Sequence, residues 1–285
     1  MAVGPYGAML DAVRGVRWPA RRAVAGGAAG AHIARSRGVA VEFAEYRPYR
    51  QGDDPRRIDW KLLGRSDRAF LRLAPDRSVF ATTVLVDASA SMVHPQVEVG
   101  KWPAAKRLAV ALAAVAHAQG DPVGLVIAVA GARALRPRTR RGVVAEIAAT
   151  LDAVTPAGDQ SLARSLPEIG GRVAVISDAL GDLDALLGAL RVHVALGHEP
   201  WFFHVIAREE LEPSPRDVTA VDPEGRDRDR PLTATVVREY QERFAAWRAE
   251  VARRLRDAGV VYVACVDDEP TDAVLRRALT GARAR

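Results

Sequence analysis

The sequence predicts an α/β protein built on a doubly wound, mainly parallel sheet with an N-terminal β-rich extension, and three observations lead there. Continuously apolar runs ("TTVLVD", "PVGLVIAVAG", "RVAVISDA", "WFFHVIA", "VVYVACV") alternate with longer helical stretches from Thr82 onward, the pattern of strands covered on both faces. At 285 residues and 49% hydrophobic content the chain can bury a sizeable core. One of the apolar runs, Val84 to Val86, stops on Asp87, Ser89 and Ser91, oxygen-bearing side chains at every second position.

In chain order, residues 1–37 mix small residues with Arg and contain "AVAGGAAGAH", which has no strand before it and lacks the glycine spacing of a nucleotide fingerprint. They read as a helical or partly mobile lead-in. Residues 38–80 hold extended pieces ("VAVEF", "AFLRLA", "SVFATTVLV") around "GDDPRRIDWKLLGRS", where Asp54 before Pro55 predicts a helix start. Residues 81–285 form the α/β domain. Its helices are expected at "KRLAVALAAVAHAQG", 141–154, 162–166, 183–190, 235–258 and after the last strand. A polar surface excursion spans 208–231, with a hairpin turn at Glu224-Gly225.

Several classes fall away. No apolar stretch approaches the roughly 18 residues needed to span a bilayer, and Asp11, Arg14 and Arg17 stand where a secretory signal would need its apolar segment. The expectation is a cytoplasmic protein without membrane insertion. Cys265 is the only cysteine and lies within a strand, so burial is its expected role. The net charge of +6 is spread among acids rather than gathered in a block, so no nucleic-acid partner is expected. There is no G-x-x-x-x-G-K-[ST] loop, no H-E-x-x-H and no G-x-S-x-G elbow. Ser89 or Ser91 as a nucleophile would need a His base, and His94 is the one nearby candidate. The expectation is a binding protein, not an enzyme.

In a doubly wound sheet, ligands bind beyond the carboxyl ends of the strands where the winding reverses. Alternate residues of an extended segment project to one side, so Asp87, Ser89 and Ser91 can direct a carboxylate and two hydroxyls at one point. Such oxygen donors suit a hard cation, Mg²⁺ or in its place Mn²⁺ or Ca²⁺. Asp and Ser also satisfy backbone groups in ordinary turns. What tips the balance is Asp178 in "VISDA", a second acid ending a later strand at the same sheet edge.

Asp87, Ser89, Ser91 and Asp178 together resemble the metal-ion-dependent adhesion site of von Willebrand factor A-type domains, which adds a Thr from a second loop. In the matching loop, "PAGDQSLARSL", Gln160 stands where that Thr is expected, with Ser161 beside it. A more extensive resemblance covers Gly38 to Leu279. "GVAVEFAEYRPYRQGDDPRRIDWKLLGRS", "HVIAREELE" and "YQERFAAWRAEVARRLRDAGVVYVACVDDEP" are similar to the bacterial domain of unknown function 58 family. That resemblance implies a von Willebrand factor A-like protein acting with a MoxR-type AAA+ ATPase, or with its client protein, in chaperone-like assembly.

Within "GDDPRRIDW", Asp53, Asp54, Arg56, Arg57, Asp59 and Trp60 form a candidate partner-binding surface. A capped helix with internal charge pairs, and Trp60 packed on a sheet, accounts for the same composition without a ligand. The alternative function is accordingly a metal-free scaffold that binds partners through residues 52–60.

Overall fold

The computed structural model describes residues 4–20, 29–33, 45–49, 55, 58–66, 68–73, 77–78, 80–96, 99–131, 133–166, 170–213, 219–220, 230–231 and 234–281. The chain forms two compact units, residues 1–18 with 81–285, and residues 19–80. Where the sequence sets the lead-in at 1–37, the first 18 residues belong to the α/β unit. They contribute helix α1 (Gly7–Ala12) and the buried side chains of Tyr6, Val13 and Trp18.

Unit 19–80 contains two antiparallel pairs. β1 (Ala29–Ile33) lies beside β4 (Arg77–Ser78), and β2 (Glu45–Pro48) beside β3 (Phe70–Leu73). Between β2 and β3, α2 runs over Trp60–Ser66. At the predicted Asp54-Pro55 boundary, Pro55 lies in a 3-10 turn and its carbonyl accepts the Ile58 N–H at 3.2 Å, while α2 itself begins at Trp60. Asp59 is its cap, with Oδ1 accepting the Leu62 N–H at 3.0 Å. Asp53, Asp54, Arg56 and Arg57 lie outside the described residues. Trp60 is 65% exposed, contrary to the expected packing on a sheet.

The α/β unit is built on six strands: β5 (Thr82–Asp87), β8 (Val123–Ala128), β9 (Arg133–Arg138), β10 (Arg172–Ser177), β11 (Glu199–Ile206) and β14 (Val261–Val266). Their spatial order is β14-β11-β10-β5-β8-β9, parallel throughout except for β9 at one edge. This is the doubly wound order, and the chain reverses its winding between β5 and β10. Period-2 alternation divides the core. Val84, Val86, Ala174, Ile176, Trp201 and Phe203 face one side, and Leu85, Val173, Val175 and Phe202 the other. The first face is covered by α1, α3 (Lys101–Ala118), α4 (Val143–Asp152) and α9 (Thr271–Gly281). The second is covered by α5 (Leu162–Ser165), α6 (Leu183–Ala195) and α8 (Ala234–Asp257).

Strand β9, "RALRPR", escapes sequence reading because Arg and Pro interrupt any apolar run. Both residues suit an edge, where charge and a missing N–H discourage further pairing. Gly124 of β8 permits its approach, since a Cβ there would come within 2.7 Å of the Leu135 carbonyl oxygen. Two short antiparallel pairs complete the unit. β6 (Pro95–Gln96) pairs with β7 (Val99–Gly100), and β12 (Thr219–Ala220) with β13 (Arg230–Pro231). The second pair lies in the polar excursion, which opens with α7 (Arg208–Leu211). The predicted turn at Glu224-Gly225 lies outside the described residues. Among the described residues no helix is long and apolar enough to cross a membrane. Cys265 is buried, and burial raises its thiol pKa.

At the amino ends of the strands, Arg172 opens β10 and is 1% exposed. Its guanidinium lies 4.2 Å from the centre of the Trp18 ring and donates to the Trp18 carbonyl at 3.2 Å and to Thr82 Oγ1 at 3.4 Å. Asp121 and Glu199 supply the counter-charge, at 3.8 and 3.7 Å. Burial pulls Arg172 down to about 10 against the opposing effect of both acids. The cluster thus joins the chain's first 18 residues to β5, β10 and β11.

Candidate functional site

At the opposite end of the sheet, β5 and β10 run in register with Val86 beside Ile176, which brings Asp87 and Ser177 side by side. Asp87 is 4% exposed. Its Oδ2 accepts from the Ser177 hydroxyl at 2.6 Å, and its Oδ1 accepts from the Ser89 N–H at 2.9 Å. The chain then enters a 3-10 turn at Ala90–Val93. The Ser89 and Ser91 hydroxyl oxygens stand 3.0 Å apart, so the alternation read from sequence does bring the three oxygen-bearing side chains together. Among the described residues no His ring hydrogen-bonds either hydroxyl, His94 included.

The loop before α5 is stitched to this turn by backbone hydrogen bonds from Ala90 N–H to the Gly158 carbonyl and from Ala157 N–H to the Ala88 carbonyl, both 2.9 Å. Gln160 and Ser161 therefore face Asp87, Ser89 and Ser91 across a cleft of about 340 Å³. Asp159, Arg164, Asp182 and the start of α6 also line it. Ser161 caps α5, its hydroxyl accepting the Arg164 N–H at 3.4 Å, and Asp182 caps α6 through the Ala185 N–H at 2.9 Å.

Asp178 is 2% exposed and is not among the residues lining the cleft. Its Oδ2 accepts from Lys101 Nζ at 2.7 Å and its Oδ1 from the Leu180 N–H at 3.2 Å. Ala179, between them, has φ 61°, a left-handed backbone that costs a non-glycine residue about 1–2 kcal/mol. Lys101 also donates to Glu210 Oε1 at 3.0 Å, and the other oxygen of Glu210 caps α7 through the Ala207 N–H at 2.8 Å. Burial opposes the charge on Lys101, but the attraction of Asp178 and of Glu210 outweighs it and holds the ammonium pKa above its usual value. Asp87 has the opposite problem. Burial and the Asp178 charge raise its pKa despite the Ser177 and Ser89 hydrogen bonds.

Beneath Asp178 lies His204, 1% exposed. Its Nε2 is 3.0 Å from the Asp178 carbonyl, which can only accept, so Nε2 carries the proton and Nδ1 accepts from the Tyr262 hydroxyl at 2.9 Å. Burial, against the pull of Asp178, pushes His204 down to about 4 from 6.5. A base whose folded pKa is depressed is neutral in both states above pH 6.5. As the pH falls below that value the unfolded chain takes up the proton first. The wild type should therefore lose on the order of 3 kcal/mol of stability between pH 6.5 and 4 through this group, and His204→Gln should remove that part of the acid slope in urea titrations.

Sequence reading missed Lys101, Ser177, His204 and Glu210. Lys101 did leave a signal. A lysine at the first position of a helix opposes the positive end of the helix dipole, and such a placement calls for acidic partners. Gly100 before it has φ 113°, and a Cβ there would strike Pro95 and lie 2.7 Å from the His94 carbonyl oxygen. Glycine is needed to turn the chain into α3 at that point.

The oxygen-only set of Asp87, Ser89 and Ser91, with Gln160 and Ser161 opposite, fits a hard divalent cation. The contacting set of Asp178, Lys101 and Glu210, taken with nearby Asp87, holds three carboxylates against one ammonium.

The family model described as "Protein of unknown function DUF58" matches residues 45–250. The chain belongs to this DUF58 family. An uncharacterized protein of Mycobacterium tuberculosis is 28% identical, over 81% of this chain and 76% of its own length. Among solved structures, an aerotolerance-related membrane protein from Bacteroides fragilis aligns with 72% of this chain and 100% of its own, at 16% identity and a TM-score of 0.44. The pilus adhesin SpaC from Lactobacillus rhamnosus GG aligns with 72% of this chain and 30% of its own, at 11% identity and a TM-score of 0.46.

Proposed function

We propose that this DUF58 protein is a cytoplasmic, von Willebrand factor A-like binding module whose cleft holds an acidic residue of a partner through a divalent cation. The observation that carries the reading is the convergence of Asp87, Ser89 and Ser91 at the switch point, facing Gln160 and Ser161. A bound Mg²⁺ would supply the Lewis-acid charge that a partner's carboxylate seeks. The protein's own residues do the rest. Ser177 and the Ser89 N–H fix the Asp87 carboxylate, the backbone stitching at Gly158 and Ala88 holds the two loops together, and the Asp182 and Ser161 caps keep the rim in place. Among the described residues neither serine hydroxyl has a His hydrogen-bond partner, which favours binding over hydrolysis.

The partner we propose is a MoxR-type AAA+ ATPase, or a client delivered to it. Association measured by biolayer interferometry should be saturable in Mg²⁺, lost in EDTA and lost in Asp87→Ala, while the variant's circular dichroism stays native. Unchanged association in EDTA would remove the metal from the account. It would favour the second reading, a metal-free scaffold contacting partners around residues 52–60. The 65% exposure of Trp60 supports that reading, since an exposed Trp is a common anchor of interfaces.

A further inference from the structure

We propose that Lys101 is a resident cation that competes with the divalent ion for Asp178, and so sets how tightly the cleft binds metal. This rests on the cation-site reading above. Two features of Lys101 are unfavourable taken alone. Its ammonium is 1% exposed, so its hydration is lost. It stands on the first residue of the 18-residue helix α3, at the end where the backbone dipole repels cations. These costs are offset at one place, where the end of β10 and helix α7 bring Asp178 and Glu210 to 2.7 and 3.0 Å of the nitrogen.

The consequence falls on the cleft. Asp178 follows Ser177, whose hydroxyl donates to Asp87 Oδ2 at 2.6 Å, so the two acids end neighbouring strands at the same edge of the sheet. Lys101 occupies one oxygen of Asp178 and offsets its charge, so the described acids left to the cleft are Asp87 beside Ser89 and Ser91, with Asp159 and Asp182 on the rim. Glu210 acts from the other side. It shares the ammonium, so Lys101 is not wholly committed to Asp178. Two opposite effects follow. Removing the ammonium returns Asp178 to the divalent ion, and removing Glu210 fixes Lys101 more firmly on Asp178.

The test is Mn²⁺ binding to EDTA-stripped protein, read from the paramagnetic resonance signal of free Mn²⁺, for the wild type, Lys101→Met, Glu210→Gln and Asp87→Asn. Lys101→Met should bind Mn²⁺ at least about tenfold more tightly than the wild type, because a like charge beside the site is gone. Glu210→Gln should bind several-fold more weakly, and Asp87→Asn not at all. An ammonium that only neutralises buried acids would leave Lys101→Met less stable in EDTA without improving its Mn²⁺ affinity. Unchanged or weaker binding by folded Lys101→Met would overturn the proposal while wild-type binding lost in Asp87→Asn kept the cation site. If Lys101→Met does not fold, Glu210→Gln decides, and unchanged or tighter binding overturns the proposal. Binding by Lys101→Met but not by the wild type would support the competition and remove the metal from the native protein's function. No binding in any variant would overturn both.

Discussion

Asp87→Asn is expected to abolish the response of thermal stability to Mg²⁺. In the wild type an ion that binds the folded state alone adds about 2.7 kcal/mol at a hundred times its Kd. In a unit of this size that corresponds to a melting temperature about 5–10 °C higher than in EDTA. Asn is close to Asp in shape and can still accept the Ser89 N–H, so the turn at residues 89–93 should persist. What it lacks is the charge. Burial and Asp178 already make that charge costly, since they raise the Asp87 pKa. The variant should therefore melt at the same temperature with Mg²⁺ and with EDTA, and in EDTA it should lie close to the wild type. A Mg²⁺ response that survives in Asp87→Asn would place the ion somewhere other than this cleft.

The largest loss of stability is expected at the other end of the sheet. Arg172→Met removes the guanidinium but leaves Asp121, 0% exposed, and Glu199, 5% exposed, buried without that counter-charge. Breaking a buried ion cluster by deleting one sign costs about 3–5 kcal/mol. Urea denaturation should show that loss. The triple variant Arg172→Met, Asp121→Asn, Glu199→Gln should recover much of it, because the two buried acids are then replaced by neutral amides. Mg²⁺ affinity should be unaffected in the triple variant, since the cluster lies at the amino ends of strands whose carboxyl ends form the cleft. A single variant as stable as the wild type would mean that the Arg172 contacts carry no net energy.

What could be read from the sequence follows from which interactions are local. The parallel strands were legible because each is apolar on both faces, and helices α3, α4, α6, α8 and α9 because their neighbours in sequence set their period. Strand β9 was not, since its pairing with β8 rests on the absence of a side chain at Gly124, which no local pattern reports. The site was half legible. Asp87, Ser89 and Ser91 lie on one short segment, so their convergence follows from strand geometry alone. Asp178 was found as a strand-ending acid, but its engagement by Lys101 joins residues 77 positions apart, and Glu210 is 109 positions from that lysine. Ser177 was overlooked beside Asp178, although the register of β5 against β10 gives it a direct hold on Asp87. Asp54-Pro55 and Asp59 both read as caps, and that Asp59 opens α2 is decided beyond the local sequence. Trp18 likewise gives no sign in "RWPA" that it stacks edge-on against Trp201, 5.3 Å away.

A cation cleft at the switch point of the sheet should show itself in isothermal titration of Mg²⁺ and Mn²⁺ into EDTA-stripped wild type beside Asp87→Ala. One saturable site is expected in the wild type and none in a variant that keeps its native circular dichroism. Equal binding by the two proteins, or heats of dilution alone in the wild type, would contradict it.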